Sequence, residues 1–236
     1  MGERFFLETA PDGDRAVLGG DEGRHLVRVL RADVGDEVVV FAGTGREWPA
    51  RIARVGRDRV DLELGPVRVD PPSACEIVMA VALPKGERQK WLVEKLTELG
   101  VARLVPLLTQ RGVAAATPAV ADRLRRTVVE ACKQCGRNTL MDVAAALDPE
   151  VLVTALPADT VVILAMPGAP PLPADAVARA RRLVGVVGPE GGFTAEEVAR
   201  LEQWGARRTG LAPHVLRVET AAIALAAGLQ AVAPAS

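Results

Sequence analysis

The sequence has few cysteines: Cys75, Cys132 and Cys135 are three among 236 residues, too few for a disulfide scaffold. Cys132 and Cys135 have C-x-x-C spacing, but no second Cys or His pair completes a four-ligand zinc site, so no metal is expected. His214 reads as a loop residue for the same reason. Long apolar runs are also missing. Apolar runs such as residues 161–166 and 221–229 fall short of the ~20 residues a membrane span needs. The opening MGERFFLETAPDGD is charged at its third residue and has no apolar stretch. No signal peptide and no membrane partner are therefore expected, and the default compartment is the cytoplasm. Excess charge is absent too, at a net −1. Aromatics make up only 3%, and Trp48, Trp91 and Trp204 are expected in the core rather than as base-stacking platforms.

What is present is enough apolar residue, 49%, to build a sizeable core. The length suits one large domain or two small ones, at roughly 150 residues per domain. Residues 1–70 read as short strands (RFFL, AVLG, EVVVFAG, EWPARIARV, DRVDLELG) interrupted by one helix, DEGRHLVRVLRA. That spacing suggests a small β-barrel. The Pro-rich GPVRVDPPSA at 65–74 is taken as the boundary. From residue 75 to 236 strands and helices alternate, which argues an α/β domain with a parallel sheet. Charge is unevenly shared: residues 85–137 carry 11 Lys/Arg against 5 Asp/Glu, whereas residues 1–70 carry 11 against 14. The local surplus suits either a phosphate-facing surface or a solvated helix face.

Two irregular loops stand between a strand and a helix in the second half. GPEGGFTAEEV (188–198) packs three glycines around Glu190 and then starts a helix with a capping box, Thr194 and Glu197. Phe193 stands where a phosphate-binding loop would need Lys after the last glycine. The G-x-x-G-G spacing is not a dinucleotide fingerprint, and no Ser makes a nucleophile elbow. LAPHVLRVETAAIAL (211–225) has turn residues at Pro213 and His214, a strand-like VLRV, and a helix start at Glu219 and Thr220, with Thr220 as the expected cap. Ligands in open α/β sheets sit at the carboxyl ends of strands, where both loops lie.

These two loops together resemble the SPOUT-superfamily ribosomal RNA small subunit methyltransferase E family. LPKGERQKWLVEKLTELGVARLVPL, EACKQCGRN and HLVRVLRADVGDEVVVFAGTG match it too, in order, over nearly the whole chain. The chain departs from the family pattern at Gln110-Arg111-Gly112 and at Val218. The resemblance implies a PUA-like β-barrel over 1–70, followed over 75–236 by a SPOUT α/β domain with a trefoil knot. It implies a homodimer that methylates N3 of a uridine in 16S ribosomal RNA of the small subunit, using S-adenosyl-L-methionine. Competing readings are a SPOUT enzyme acting on another RNA such as tRNA, a non-catalytic RNA-binding or assembly module, and another nucleotide-binding protein.

By the same resemblance, three loops hold the cofactor. The first is Met166, Pro167 and Gly168; the second is Gly188, Pro189, Glu190, Gly191 and Gly192. The third supplies Leu211, Ala212, Val215, Leu216, Arg217, Glu219, Thr220 and Ala221. The glycines would let backbone approach the cofactor, and Gly191→Val is expected to abolish its binding. Arg217 and Glu219 are the catalytic candidates. Arg217 could stabilise the uridylate formed as N3 loses its proton, hold a phosphate, or pair with Glu219 or Glu190. Glu190 and Glu219 could orient the cofactor or act as base. Candidates for RNA contact are Arg4, then His25, Arg28 and Arg31 sharing a helical face at i, i+3 and i+6. Arg88, Lys90, Lys95, Arg111, Lys133 and Arg137 join them from the basic stretch.

Overall fold

The computed structural model describes residues 3–11, 13–112 and 117–234. Its contacts divide the chain into two units, Met1–Pro71 with Val129–Leu140, and Pro72–Val128 with Met141–Ser236.

The first unit is built on strands β1 (Arg4–Phe6), β2 (Arg15–Leu18), β3 (Glu37–Phe41), β4 (Arg46–Val55), β5 (Val60–Leu64) and β6 (Arg68–Val69), with helix α1 (Gly20–Arg28) after β2. The sheet runs β1-β3-β4-β5-β2, and β6 pairs with β4. Pairing is antiparallel apart from β1 with β3. Alternation explains β4: Trp48, Ala50 and Ile52 point inward while Arg51 is exposed. They join Phe5, Leu18, Leu26, Val40 and Leu62 in one core. In α1, Gly23 is dictated by packing, since a Cβ there would lie 2.7 Å from the Leu18 carbonyl oxygen. The helix ends at Arg28, earlier than its sequence suggests, and Arg31 beyond it has φ +52°.

In the second unit come β7 (Glu76–Val81), α2 (Arg88–Glu98), β8 (Arg103–Pro106) and α3 (Pro118–Cys135), whose last residues belong to the first unit. There follow β9 (Asp142–Val143), α4 (Pro149–Thr154), β10 (Val161–Ala165), α5 (Ala174–Val177), β11 (Arg182–Val187), α6 (Ala195–Gln203), β12 (Arg207–Thr209) and α7 (Val218–Val232). The sheet order is β12-β10-β11-β7-β8-β9, with every pair parallel. Beyond the paired Glu76 and Arg182 at their starts, its central strands β7 and β11 carry no charged or polar side chain, because both faces are covered. Val78, Ala80, Val184 and Val186 meet Leu152 of α4 and Val198 and Leu201 of α6. On the opposite face α7 packs on β7 and β11 and against α2. Gly185 leaves room there for Met79 and Leu225, whose atoms would lie 2.6 and 2.9 Å from an added Cβ.

Several local expectations change. VLRV is not a strand: residues 215–217 are loop and α7 begins at Val218. The helix is capped by Arg217 backbone, so Thr220 lies within its first turn and is not the cap. Trp48 is buried, but Trp91 and Trp204 are about half exposed, at 45% and 54%. No helix among the described residues is long and apolar enough to cross a membrane.

Candidate active site

The loops after β10, β11 and β12 meet around one cavity of about 190 Å³ in the second unit. All three leave the carboxyl ends of neighbouring parallel strands, where an open α/β sheet exposes its loops to a ligand. Met166 and Pro167 line it from the first loop, and Gly188, Pro189, Glu190, Gly192 and Phe193 from the second. Leu211, Ala212, His214, Val215 and Leu216 line it from the third, with Val218 and Ala221 at the start of α7. Gly168, Gly191, Arg217, Glu219 and Thr220 are not among the lining residues. Ala165, Val187, Phe193, His214 and Val218 do line it, although none of them is among the cofactor candidates of the sequence.

The loops are sewn together through the backbone. Met166 N–H donates to the Thr209 carbonyl at 2.9 Å, and Gly210 N–H to that of Pro170 at 2.7 Å. An added Cβ at Gly210 would lie 2.3 Å from the Ala169 carbonyl oxygen, so only glycine permits this approach.

The three glycines of GPEGG serve different ends. Gly192 has φ +69° and closes a turn onto the Pro189 carbonyl at 2.8 Å. Gly188 lies against the Phe193 ring, 2.8 Å from where its Cβ would be. Gly191 is not among the lining residues; a Cβ added there would lie 3.4 Å from Arg111 Cβ, and its carbonyl accepts from Arg111 Nη1 at 2.9 Å. The loop continues into α6 through the expected capping box: Thr194 Oγ1 accepts from Glu197 N at 3.2 Å, and Thr194 N donates to Glu197 Oε2 at 2.8 Å. Glu197 Oε1 also accepts from Gln110 N at 2.9 Å. Gln110 and Arg111 thus brace the glycine loop and the helix that follows it.

The polar groups suit a nucleoside-like ligand. The walls are mainly apolar, and the main-chain N–H groups of Leu211, Ala212, His214, Val215, Leu216 and Arg217 find no acceptor among the described residues. Such free amides can read the edge of a base. Val215 is 81% exposed at the cavity. Arg217 is exposed and makes no ion pair or hydrogen bond through its side chain among the described residues. It therefore does not pair with Glu190 or Glu219. Arg88 does: its Nη1 is 2.7 Å from Glu190 Oε1 and 3.8 Å from Glu219 Oε2. Glu219 is 4% exposed, and its Oε2 has no hydrogen bond.

The RNA candidates separate sharply. Arg4 is buried, donating to Glu47 at 2.6 Å and to Asn138, with its guanidinium carbon 5.0 Å from the centre of the Phe41 ring. Lys133 is 17% exposed and held by Glu22 at 2.8 Å and Glu130 at 3.3 Å. Burial opposes its charge, yet the Glu22 and Glu130 carboxylates raise its pKa on balance. These two side chains are structural ion pairs, not surface cations awaiting phosphate. Burial pushes the Arg137 guanidinium below its ordinary value. His25 and Arg28 are exposed on α1, Arg28 pairing with Asp58 at 2.8 Å, while Arg31 lies off the helix and shares no face with them. Lys90 is exposed beside Glu94, at 3.8 Å, and Lys95 pairs with Glu98 at 2.7 Å. Arg88 and Arg111 are tied to the cavity loops as described. Among the described residues no group of three His, Cys, Asp or Glu could hold a metal.

Comparison with known proteins agrees with this geometry. Residues 71–230 match the RNA methyltransferase domain model, and residues 18–65 match the RNA methyltransferase PUA domain. Ribosomal RNA small subunit methyltransferase E of Mycobacterium bovis is 33% identical over 92% of this chain and 87% of its own length. The Bacillus subtilis protein of that name is 27% identical over 93% and 92%. The Neisseria gonorrhoeae enzyme of the same name, solved bound to S-adenosyl methionine, superposes with TM-score 0.90 at 27% identity, over 98% of both chains. A Legionella pneumophila structure in complex with the cofactor SAM gives 0.89 at 29% identity, over 99% and 98%. With a PUA domain followed by a SPOUT-type α/β domain, this chain belongs to the ribosomal RNA small subunit methyltransferase E family.

Proposed function

We propose that this protein methylates N3 of one uridine in 16S ribosomal RNA, using S-adenosylmethionine held in the cavity between residues 166–167, 188–193 and 211–221. The observation that carries the reading is the meeting of three strand-end loops around an apolar cavity edged by unpaired main-chain amides. S-adenosylmethionine supplies an electrophilic methyl group on a sulfonium. The chain's own residues do the rest. Apolar walls, Met166, Leu211 and Leu216 among them, exclude water and fit a purine ring. The amides of residues 211–217 read the ring edge. The tight backbone contacts at Gly188 and Gly210 fix the loops, and alignment of this kind can lower a barrier by several kcal/mol.

Arg217 is the catalytic candidate with freedom to act. Exposed beside the cavity and without a partner, its guanidinium can meet the negative charge that develops on uridine as N3 loses its proton. Glu219 is buried and lies near Arg88, which favours an orienting role over direct proton transfer. Cofactor contacts by Gly168, Gly191 and Thr220 have less support than those by the lining residues. For RNA contact, His25, Arg28, Arg31, Lys90 and Arg111 are the exposed candidates. A homodimer acting on the small subunit, as the family resemblance implies, completes the proposal, with the cytoplasm as its default compartment.

The direct test is methyl transfer to small subunits purified from cells lacking this protein, with the modified base mapped. Methylation at N3 of a 16S uridine is expected. Modification of tRNA instead, or none at all with subunits, would overturn the proposal.

A further inference from the structure

We propose that Arg88 is a positioning residue of the methyl-transfer site. Its guanidinium holds the carboxylates of Glu190 and Glu219 in one arrangement and so fixes two walls of the cofactor cavity against each other. The inference rests on the reading that this cavity takes S-adenosylmethionine.

The three residues come from distant parts of the sequence. Arg88 opens α2, just after the loop that leaves β7. Glu190 stands in the glycine loop after β11, and Glu219 in the first turn of α7. One nitrogen, Nη1 of Arg88, lies 2.7 Å from Glu190 Oε1 and 3.8 Å from Glu219 Oε2. The Glu219 side chain is 6% exposed, and its Oε2 has no hydrogen bond among the described residues. A buried carboxylate without a nearby cation is strongly disfavoured. Arg217, its near neighbour in sequence, makes no ion pair with it. Arg88 is therefore the cation that lets Glu219 stay buried.

The same guanidinium controls the cavity wall. Glu190 lines the cavity directly, and Val218 and Ala221, which flank Glu219 in α7, line it from the other side. Without Arg88 the two carboxylates would repel and the glycine loop would lose its tie to α7. Arginine suits the place better than lysine, since its planar fork carries several donors and an ammonium is a single point.

The test uses the full chain and S-adenosylmethionine in titration calorimetry, with thermal midpoints recorded for each variant. Arg88→Met should weaken cofactor binding at least tenfold, and Arg88→Lys should recover part of the loss. Glu190→Gln should weaken binding several-fold alone but add little in the Arg88→Met background, because both changes break one contact. A purely structural arginine would lower the midpoint and leave the affinity of the folded protein unchanged. Arg88→Met with wild-type affinity, or full multiplication of the two losses, would overturn the inference. If Arg88→Met does not fold, Arg88→Lys and Glu190→Gln decide it, and wild-type affinity in both overturns it. A wild-type chain that takes up no S-adenosylmethionine would overturn the cavity reading itself, a separate result, and this inference with it.

Discussion

The two units put the same residue types to opposite uses. In the first, Arg4 and Lys133 are largely buried and paired, Arg4 with Glu47 and Asn138, Lys133 with Glu22 and Glu130. In the second, Arg217 stands exposed and unpaired beside a cavity, while Glu219 is buried with one oxygen unbonded. By residue type alone all four would count as candidates for binding or catalysis. Pairing and burial decide which of them can meet a ligand, and neither quantity is visible in a charge count.

The contrast predicts different failures. Arg217→Ala should lower kcat by about 10²–10³-fold, the effect of removing one group aimed at developing charge. Calorimetry should find its cofactor affinity unchanged. Full turnover would put Arg217 with the structural arginines and break the comparison. Arg4→Met should lose about 2 kcal/mol of stability in denaturant titration, because it removes the 2.6 Å partner of the largely buried Glu47 and leaves it only the longer contact with Arg68 at 3.4 Å. Wild-type stability there would mean the buried pair contributes nothing.

Glu47 sharpens the same point through pH. Burial works to raise its pKa, but hydrogen bonds and charge from Arg4, with Arg68 and Asn138, outweigh it and hold the carboxyl below the ordinary 4.5. A lowered folded value means the stabilisation is complete above about pH 4.5 and lost as pH falls through the folded value. The stability gap between wild type and Glu47→Gln should thus be largest near neutrality and shrink on acidification. A gap that widens in acid would contradict the sign. Smallest of all, Arg28→Ala should cost under about 1 kcal/mol, since its partner Asp58 is exposed too. If Arg28 meets RNA, that variant should instead flatten the salt dependence of RNA binding.

The sequence carried the fold well where periodicity is strong. Five strands of the first unit, the apolar β7, β10 and β11, and the capping box at Thr194 and Glu197 all lie where their patterns point. Two-residue strands β6 and β9 are too short to leave a pattern. Helix α4 carries a start signal in its sequence, Asp148 followed by Pro149 at the first helical position. VLRV misled because β-branched residues also serve a loop whose Val218 is buried at a helix start. At the site, Gly/Pro-marked loops were legible as loops, but not which glycine faced the cavity. Gly191 looks like its neighbours in sequence, and only the position of Arg111 separates it from Gly188. The Arg88 bridge was invisible because it spans 102 residues to Glu190.

The cofactor's position is the most direct measure of the account. A crystal of this protein grown with S-adenosylmethionine should carry its density between residues 188–193 and 211–221, with the methyl group accessible on the side of Arg217. Density bound elsewhere, with that cavity left to water, would contradict it.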